Sequence, residues 1–267
     1  MKQLSVNGVE IAYLDEGNGP AVVLGHCSSA SHKEWLPLIE TLKSDWRVLA
    51  PDLIGYGQSA PWPADQPFSV DADVQVVLAI AKKSKGKLHL VGHSYGAALL
   101  LEAARSLGSR VKSLTLVEPS LLHLLRGCPE WAEVEALARA VLGAVASGDD
   151  RSAAKSFMTY WLGRWRWWLS PERFKSAIEA TIPKVALEFG FAVDAPTTLQ
   201  DYAAITAPTL LIVGGSTGAP NRAIVDLLAT TLPDVQVAVV RGARHMSPFT
   251  HPAEVNRLIV DHLALTR

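Results

Sequence analysis

Cysteine is scarce: Cys27 and Cys128 are the only two in 267 residues. That excludes a disulfide framework and points to a reducing compartment, so a cytoplasmic protein is expected. Long apolar runs are missing too. No stretch of 18 or more apolar residues occurs, so no membrane span is expected. The opening MKQLSVNGVEIAYLDEG lacks the apolar core of a signal peptide. Neither sign of charge dominates; a net charge of −1 removes the electrostatic case for nucleic acid or an anionic membrane as partner. Repeats and low-complexity tracts are absent. No clustered His, Cys and carboxylate ligands suggest a metal. The glycine-rich GYG at 55–57 lacks a Walker lysine or a dinucleotide fingerprint, so no cofactor is expected.

What is present is apolar sequence in alternating blocks. Hydrophobic residues make up 49% of the chain, enough for one large α/β domain with an insertion or for two small domains. QLSV and EIAYLD flank Asn7-Gly8, a hairpin signal. Further strands are expected at 21–26, 47–52, 88–91, 111–119, 207–215 and 235–240. Between and after them come helical patterns: one carrying Trp35, Leu38, Ile39 and Leu42, then 69–83, then AALLLEAARSL, then roughly 221–232 and 252–264. Strands alternating with helices define the fold class as α/β, a mostly parallel sheet covered by helices on both faces.

Residues 120–205 break the rhythm. WAEVEALARAVLGAVASG, AAKSFMTYWLGRWRWWL and PERFKSAIEATI all read as helical. An insertion on the carboxyl side of the sheet lies over the end where ligands bind. The expected division is a core domain, 1–119 with 206–267, and a helical cap insertion, 120–205. Trp161, Trp165, Trp167 and Trp168 fall within eight positions. They either pack the cap against the core or line an apolar substrate pocket, for which Trp161, Trp165 and Trp168 are the candidates.

The chemistry centres on KLHLVGHSYG, residues 87–96. Gly92-His93-Ser94-Tyr95-Gly96 fits G-x-S-x-G between an apolar strand and a helix, the setting of a nucleophile elbow. A serine there must hold strained backbone angles, and strand and helix come so close that the flanking glycines have no room for side chains. Ser94 is the expected nucleophile. A serine hydroxyl needs a base, and eight histidines are on offer.

With HCSS after the third strand, PDLIGYGQS after the fourth, GHSYG after the fifth and GARHMSP after the last, the chain resembles the α/β-hydrolase superfamily, in its serine-nucleophile branch with a helical cap. The family order is serine, acid, histidine, so the resemblance makes His245 the general base. It also implies an oxyanion hole from the backbone N–H of Tyr95 and, by position, of Ser28. Relatives usually have glycine where this chain has Cys27, which is read as a small packing residue. Many relatives carry the acid after the strand equivalent to PTLLIVGG. Here that loop, GGSTGAPNR, has no acid. Glu118 ends the preceding strand, as the acid does in certain haloalkane dehalogenases, and is expected to complete the triad. The competing reading is a glutamate bonded to backbone of the insertion or to a helix N-terminus. Asp52 is expected to brace the DLIGYGQS loop through backbone N–H groups. His89 is read as a core histidine, His93 as pointing into packing, and His251 as a helix cap or a site wall.

The resemblance thus implies a cofactor-free hydrolase acting on a small-molecule substrate, a carboxylic ester with an apolar part, through an acyl-enzyme. Carbon–carbon bond, lactone or thioester hydrolysis with the same triad stays open. So does a small-molecule receptor of this fold with slow hydrolysis.

Overall fold

The structure is a computed structural model that describes residues 1–63 and 65–267, with Phe191 described by its backbone alone. Asn7 and Gly8 both take positive φ, 50° and 83°. This is the turn geometry that matches strand twist, and it folds β1 (Lys2–Val6) onto β2 (Val9–Glu16). After β3 (Ala21–Gly25) come α1 (Leu36–Leu42), β4 (Arg47–Pro51), α2 (Val70–Ala81), β5 (Leu88–His93), α3 (Tyr95–Leu107) and β6 (Val111–Val117). Five helices follow: α4 (Trp131–Ala146), α5 (Asp150–Leu162), α6 (Arg164–Leu169), α7 (Glu172–Asp194) and α8 (Leu199–Tyr202). The chain then returns to β7 (Thr209–Gly214), α9 (Ala219–Thr231), β8 (Val235–Val240), α10 (Ser247–Thr250) and α11 (Pro252–Leu265).

The sheet has eight strands in the order β1-β2-β4-β3-β5-β6-β7-β8. Among the described residues the pairs β1–β2 and β2–β4 are antiparallel; the other five run parallel. Side chains alternate across each strand. Val23, Leu90, Leu114 and Leu211 face the layer of α2, α3 and α9. Val22, Leu24, Val91 and Ile212 face α1 and α11. At about 1.5–3 kcal/mol for each fully buried Leu, Ile or Val, these two apolar layers hold the helices to the sheet more than helix propensity does. Among the described residues no helix is long and apolar enough to cross a membrane.

Strand order reverses at β3, with β4 on one side and β5 on the other. Loops leaving neighbouring strands at such a point diverge and open a crevice. The β3–β5 register pairs Gly25 with Gly92. The segment after β3, which holds Ser28, and the turn after β5, which holds Ser94, therefore start side by side.

One helical reading needs correction and another is extended. The run AAKSFMTYWLGRWRWWL is not one helix: the chain turns at Gly163, φ 97°, which ends α5 and starts α6 in a new direction. The helix that begins at Glu172 does not stop before Pro183 but continues through it to Asp194.

Candidate active site

Ser94 sits between β5 and α3 with φ 54° and ψ −118°, a conformation that costs a non-glycine residue about 1–3 kcal/mol. The flanking glycines explain why the neighbourhood accepts it. A Cβ on Gly96 would collide with the backbone of Gly25 and His26, and one on Gly92 would lie 2.8 Å from Ala97 Cα. Tyr95 starts α3, so its backbone N–H belongs to the first, unsatisfied turn of that helix.

Ser94 Oγ lies 2.9 Å from His245 Nε2 and 2.9 Å from Ser120 Oγ. His245 follows β8 on the turn into α10 and is buried. Behind it, Glu118 Oε2 lies 3.3 Å from Nδ1, a long hydrogen bond. Asn221 Nδ2 approaches the same Nδ1 at 3.1 Å. Of the two, the carboxylate is the natural acceptor of a proton on Nδ1, and that tautomer leaves the Nε2 lone pair facing Ser94. Turned over, the Asn221 amide offers its carbonyl oxygen to the same N–H.

Glu118 is fixed on both oxygens. Gly214 N–H donates to Oε1 at 2.7 Å and the Thr217 hydroxyl to Oε2 at 2.8 Å. Its own φ is 47°, a second strained residue at a strand end. Burial alone would raise its pKa, but His245, the Gly214 N–H and the Thr217 hydroxyl outweigh that and lower it. Burial pushes the His245 pKa below the ordinary imidazole value; Glu118 pulls the other way and His93 adds to the lowering. The GGSTGAPNR loop, which lacks an acid of its own, thus contributes a backbone donor and a hydroxyl that hold the acid of the neighbouring strand.

The histidine beside Ser94 does more than pack. His93 Nδ1 pairs with Glu34 Oε1 at 2.6 Å, and its Nε2 donates to the His245 carbonyl at 3.0 Å. Glu34 Oε2 also accepts the Cys27 N–H at 2.8 Å. One buried carboxylate therefore ties the loop after β3 to the turn after β5 and, through His93, to His245. Cys27, Glu34 and His93 could present three metal-ligating atoms within 4.8 Å of one another. The hydrogen bonds just named already engage both Glu34 oxygens and both His93 nitrogens. Burial and Glu34 raise the Cys27 thiol pKa well above its usual value, so the sulfur is a poor nucleophile.

Other assignments separate cleanly. Asp52 accepts the N–H groups of His32 and Gln58 at 2.7 and 2.8 Å, the loop brace expected of it, and also pairs with His32 Nδ1 at 2.8 Å. His89 bonds Ser113 Oγ at 2.7 Å inside the sheet. His251 bonds Thr250 Oγ1 at 2.9 Å.

A small cavity of about 30 Å³ lies over Ser94. Ser28, Tyr95 and Ser120 line it from the sheet side; Phe157 and Trp161 from α5 and Val185, Glu188 and Phe189 from α7 close it. The expected tryptophans divide. Trp161 is 6% exposed and borders the cavity. Trp165 and Trp168 are 70% and 68% exposed and line a separate surface depression with Arg151, Lys155 and Lys175. The turn at Gly163 is the reason: it carries α6 away from the site, so the placement of Trp165 and Trp168 at the pocket is corrected.

This fold and this site define a class. The family described as alpha/beta hydrolase fold matches residues 20–252, and the chain belongs to it. Over 255 residues the chain is 26% identical to the pimeloyl-[acyl-carrier protein] methyl ester esterase of Aeromonas hydrophila, covering 91% of this chain and 95% of that one. It is 29% identical over 252 residues to the N-formylmaleamate deformylase of Pseudomonas putida, covering 92% and 90%. Among solved structures, a thermophilic esterase from Thermogutta terrifontis superimposes with a TM-score of 0.80 at 23% identity, covering 100% of this chain and 99% of that one.

Proposed function

We propose that the protein hydrolyses a small, largely apolar carboxylic ester through an acyl-enzyme on Ser94. The observation that carries this reading is the 2.9 Å approach of His245 Nε2 to Ser94 Oγ, with Glu118 behind the same ring. Ser94 Oγ attacks the carbonyl carbon while His245 Nε2 takes its proton. Glu118 keeps the imidazole in the reactive tautomer and offsets its positive charge. The N–H groups of Tyr95 and Ser28 bind the oxyanion as the carbonyl bond opens. His245 then returns the proton to the departing alkoxide. Water attacks the acyl-enzyme by the same route, releasing the acid and free Ser94. Both relatives named above as an esterase and a deformylase act at acyl groups, which supports acyl transfer here.

Residues 120–205 are assigned as the cap, and 1–119 with 206–267 as the core. A cavity of 30 Å³ holds a water, not an ester, whose pockets run to about 300–1,000 Å³. Substrate entry therefore requires the cavity to widen, and since Lys184 and Glu188 tie α7 to Asp73 and Tyr56, the side chains of α5 are the ones that give way. The test is a fluorophosphonate probe with peptide mass spectrometry, alongside turnover of acyl esters of graded length. An adduct on Ser94 and turnover abolished in Ser94→Ala are expected. An adduct on Cys27 with Ser94 untouched would overturn the assignment, and tight binding without turnover would favour a receptor.

A further inference from the structure

Most of the cavity wall is apolar, but Glu188 breaks it. Glu188 is 3% exposed and faces the same space as Ser94. It belongs to a buried polar cluster that joins α7 to the core. Lys184, one turn earlier on α7, donates to Glu188 Oε1 at 2.9 Å and to Asp73 Oδ2 at 2.8 Å. The Tyr56 hydroxyl donates to Glu188 Oε1 at 2.7 Å, and the Tyr95 hydroxyl to Asp73 Oδ2 at 2.8 Å. The Ser28 hydroxyl donates to Glu188 Oε2 at 2.5 Å.

The donors in this cluster are spent. Lys184 Nζ has two carboxylate partners and lies 4.4 Å from the centre of the Phe68 ring, a cation–π contact that occupies its remaining side. Burial works against its charge, but the Glu188 and Asp73 carboxylates outweigh that and hold it as an ammonium. One cation thus serves two carboxylates. A carboxylate oxygen has about two acceptor positions. Tyr56 and Lys184 fill those of Oε1, whereas Ser28 fills one on Oε2. What remains unfilled is acceptor capacity, the second position on Oε2 and the lone pairs of Ser28 Oγ, on two residues that both line the cavity. A substrate group reaching Glu188 meets side-chain donors that are already engaged and a carboxylate that shares its one cation with Asp73.

We propose that Glu188 sets the substrate class: the part of the substrate that reaches it carries a hydrogen-bond donor, a hydroxyl or an amine, and substrates with a carboxylate there are rejected. This rests on the hydrolase reading only in placing the substrate in the Ser94 cavity. Glu188 touches the substrate's non-reacting part and acts on specificity rather than on bond cleavage.

The test compares methyl butyrate and methyl hexanoate with their ω-hydroxy counterparts and with monomethyl succinate and monomethyl adipate. At the better chain length, the hydroxylated ester should have the highest kcat/KM. The carboxylated one should fall at least about tenfold below the apolar one, since like charges across a dry contact are strongly disfavoured. Glu188→Gln should remove that gap while keeping the chain-length preference. Calorimetric binding of the same esters to Ser94→Ala gives the order without catalysis, and without needing the Glu188 variant to fold. The predicted binding order with no turnover by the native enzyme would sink the hydrolase reading and leave this one standing. A carboxylated ester bound by Ser94→Ala as tightly as its apolar partner, or a gap unchanged in folded Glu188→Gln, would overturn it.

Discussion

The indole of Trp161 lies against the imidazole of His245, with ring centroids 4.1 Å apart and planes inclined by 33°. The last turn of α5 thus touches His245 directly. This contact separates two effects of tryptophan in one segment. Trp161→Ala removes a buried ring and should lower stability by about 3–5 kcal/mol. It should also shift chain-length preference in kcat/KM, because the ring borders the cavity. Trp165→Ala removes a ring that is 70% exposed. It should change stability by no more than about 0.5 kcal/mol and leave preference alone. Urea unfolding and ester kinetics on the same two variants check both.

The acid limb of kcat/KM should lie below the ordinary imidazole range. His245 must be neutral to accept the Ser94 proton, and burial lowers its pKa. Activity is therefore held as pH falls past about 6.5, the ordinary imidazole value, and is lost only as pH passes the depressed value. His93 contributes to the lowering, while Glu118 and Glu34 oppose it. His93→Gln should move the limb upward. A pH profile of kcat/KM for both proteins measures the shift, and a limb that stays in place would remove His93 from the electrostatics of the base.

How far the site was legible depended on how local its signals are. Ser94 and its glycines sit in one pentapeptide whose steric logic needs no distant partner. Glu118 was reachable because its absence from GGSTGAPNR left a gap that a neighbouring strand end could fill. Lys184 and Glu188 gave no such sign. Four residues apart on a helix, they look like a solvated surface pair, and only the packing of α7 onto Asp73 and Tyr56 buries them. Glu34 was equally silent, since its partner His93 lies 59 residues away. The tryptophans misled for a related reason: Gly163 turns the chain into α6, and Trp165 and Trp168 fall on the exposed face of that helix while Trp167 is buried.

Stability should weaken in acid in part through His89. Burial lowers its pKa to about 4, from 6.5. The folded state keeps it neutral where the unfolded chain takes up a proton, so its contribution is full above 6.5 and is lost as pH falls from there toward 4. One proton gives a slope of about 1.4 kcal/mol per pH unit inside that window. His89→Gln retains a side-chain polar group near Ser113 and should flatten the slope between pH 6 and pH 4.5 by roughly this amount. Urea midpoints at several pH values give the comparison. Equal slopes for the variant and the native protein would count against the assignment.

Glu118 should prove to be the acid, and the geometry says where a replacement could come from. Glu118→Gln keeps its size and the acceptor for Gly214 N–H but removes the charge behind His245. On the precedent of other triads it should lower kcat by roughly 10⁴. Thr217→Ala removes one hydrogen bond to Glu118 Oε2 and should cost far less, about tenfold. Thr217 hydrogen-bonds Glu118 rather than His245, which makes it the less direct place for a replacement carboxylate. Asn221 does reach His245, at 3.1 Å from Nδ1. Adding Asn221→Asp to Glu118→Gln therefore places an anion against the same imidazole nitrogen from the start of α9. Its position in the first turn of that helix also favours negative charge. The double variant should recover at least about tenfold of the lost kcat, because the tautomer and the charge balance are both restored. Asn221→Asp alone sets a second carboxylate beside Glu118 and should raise the acid limb of the pH profile by stabilising the imidazolium. Near-native kcat in folded Glu118→Gln would remove Glu118 from the triad. A double variant no faster than Glu118→Gln, with its fold intact, would show that the 3.1 Å approach of Asn221 does not survive catalysis.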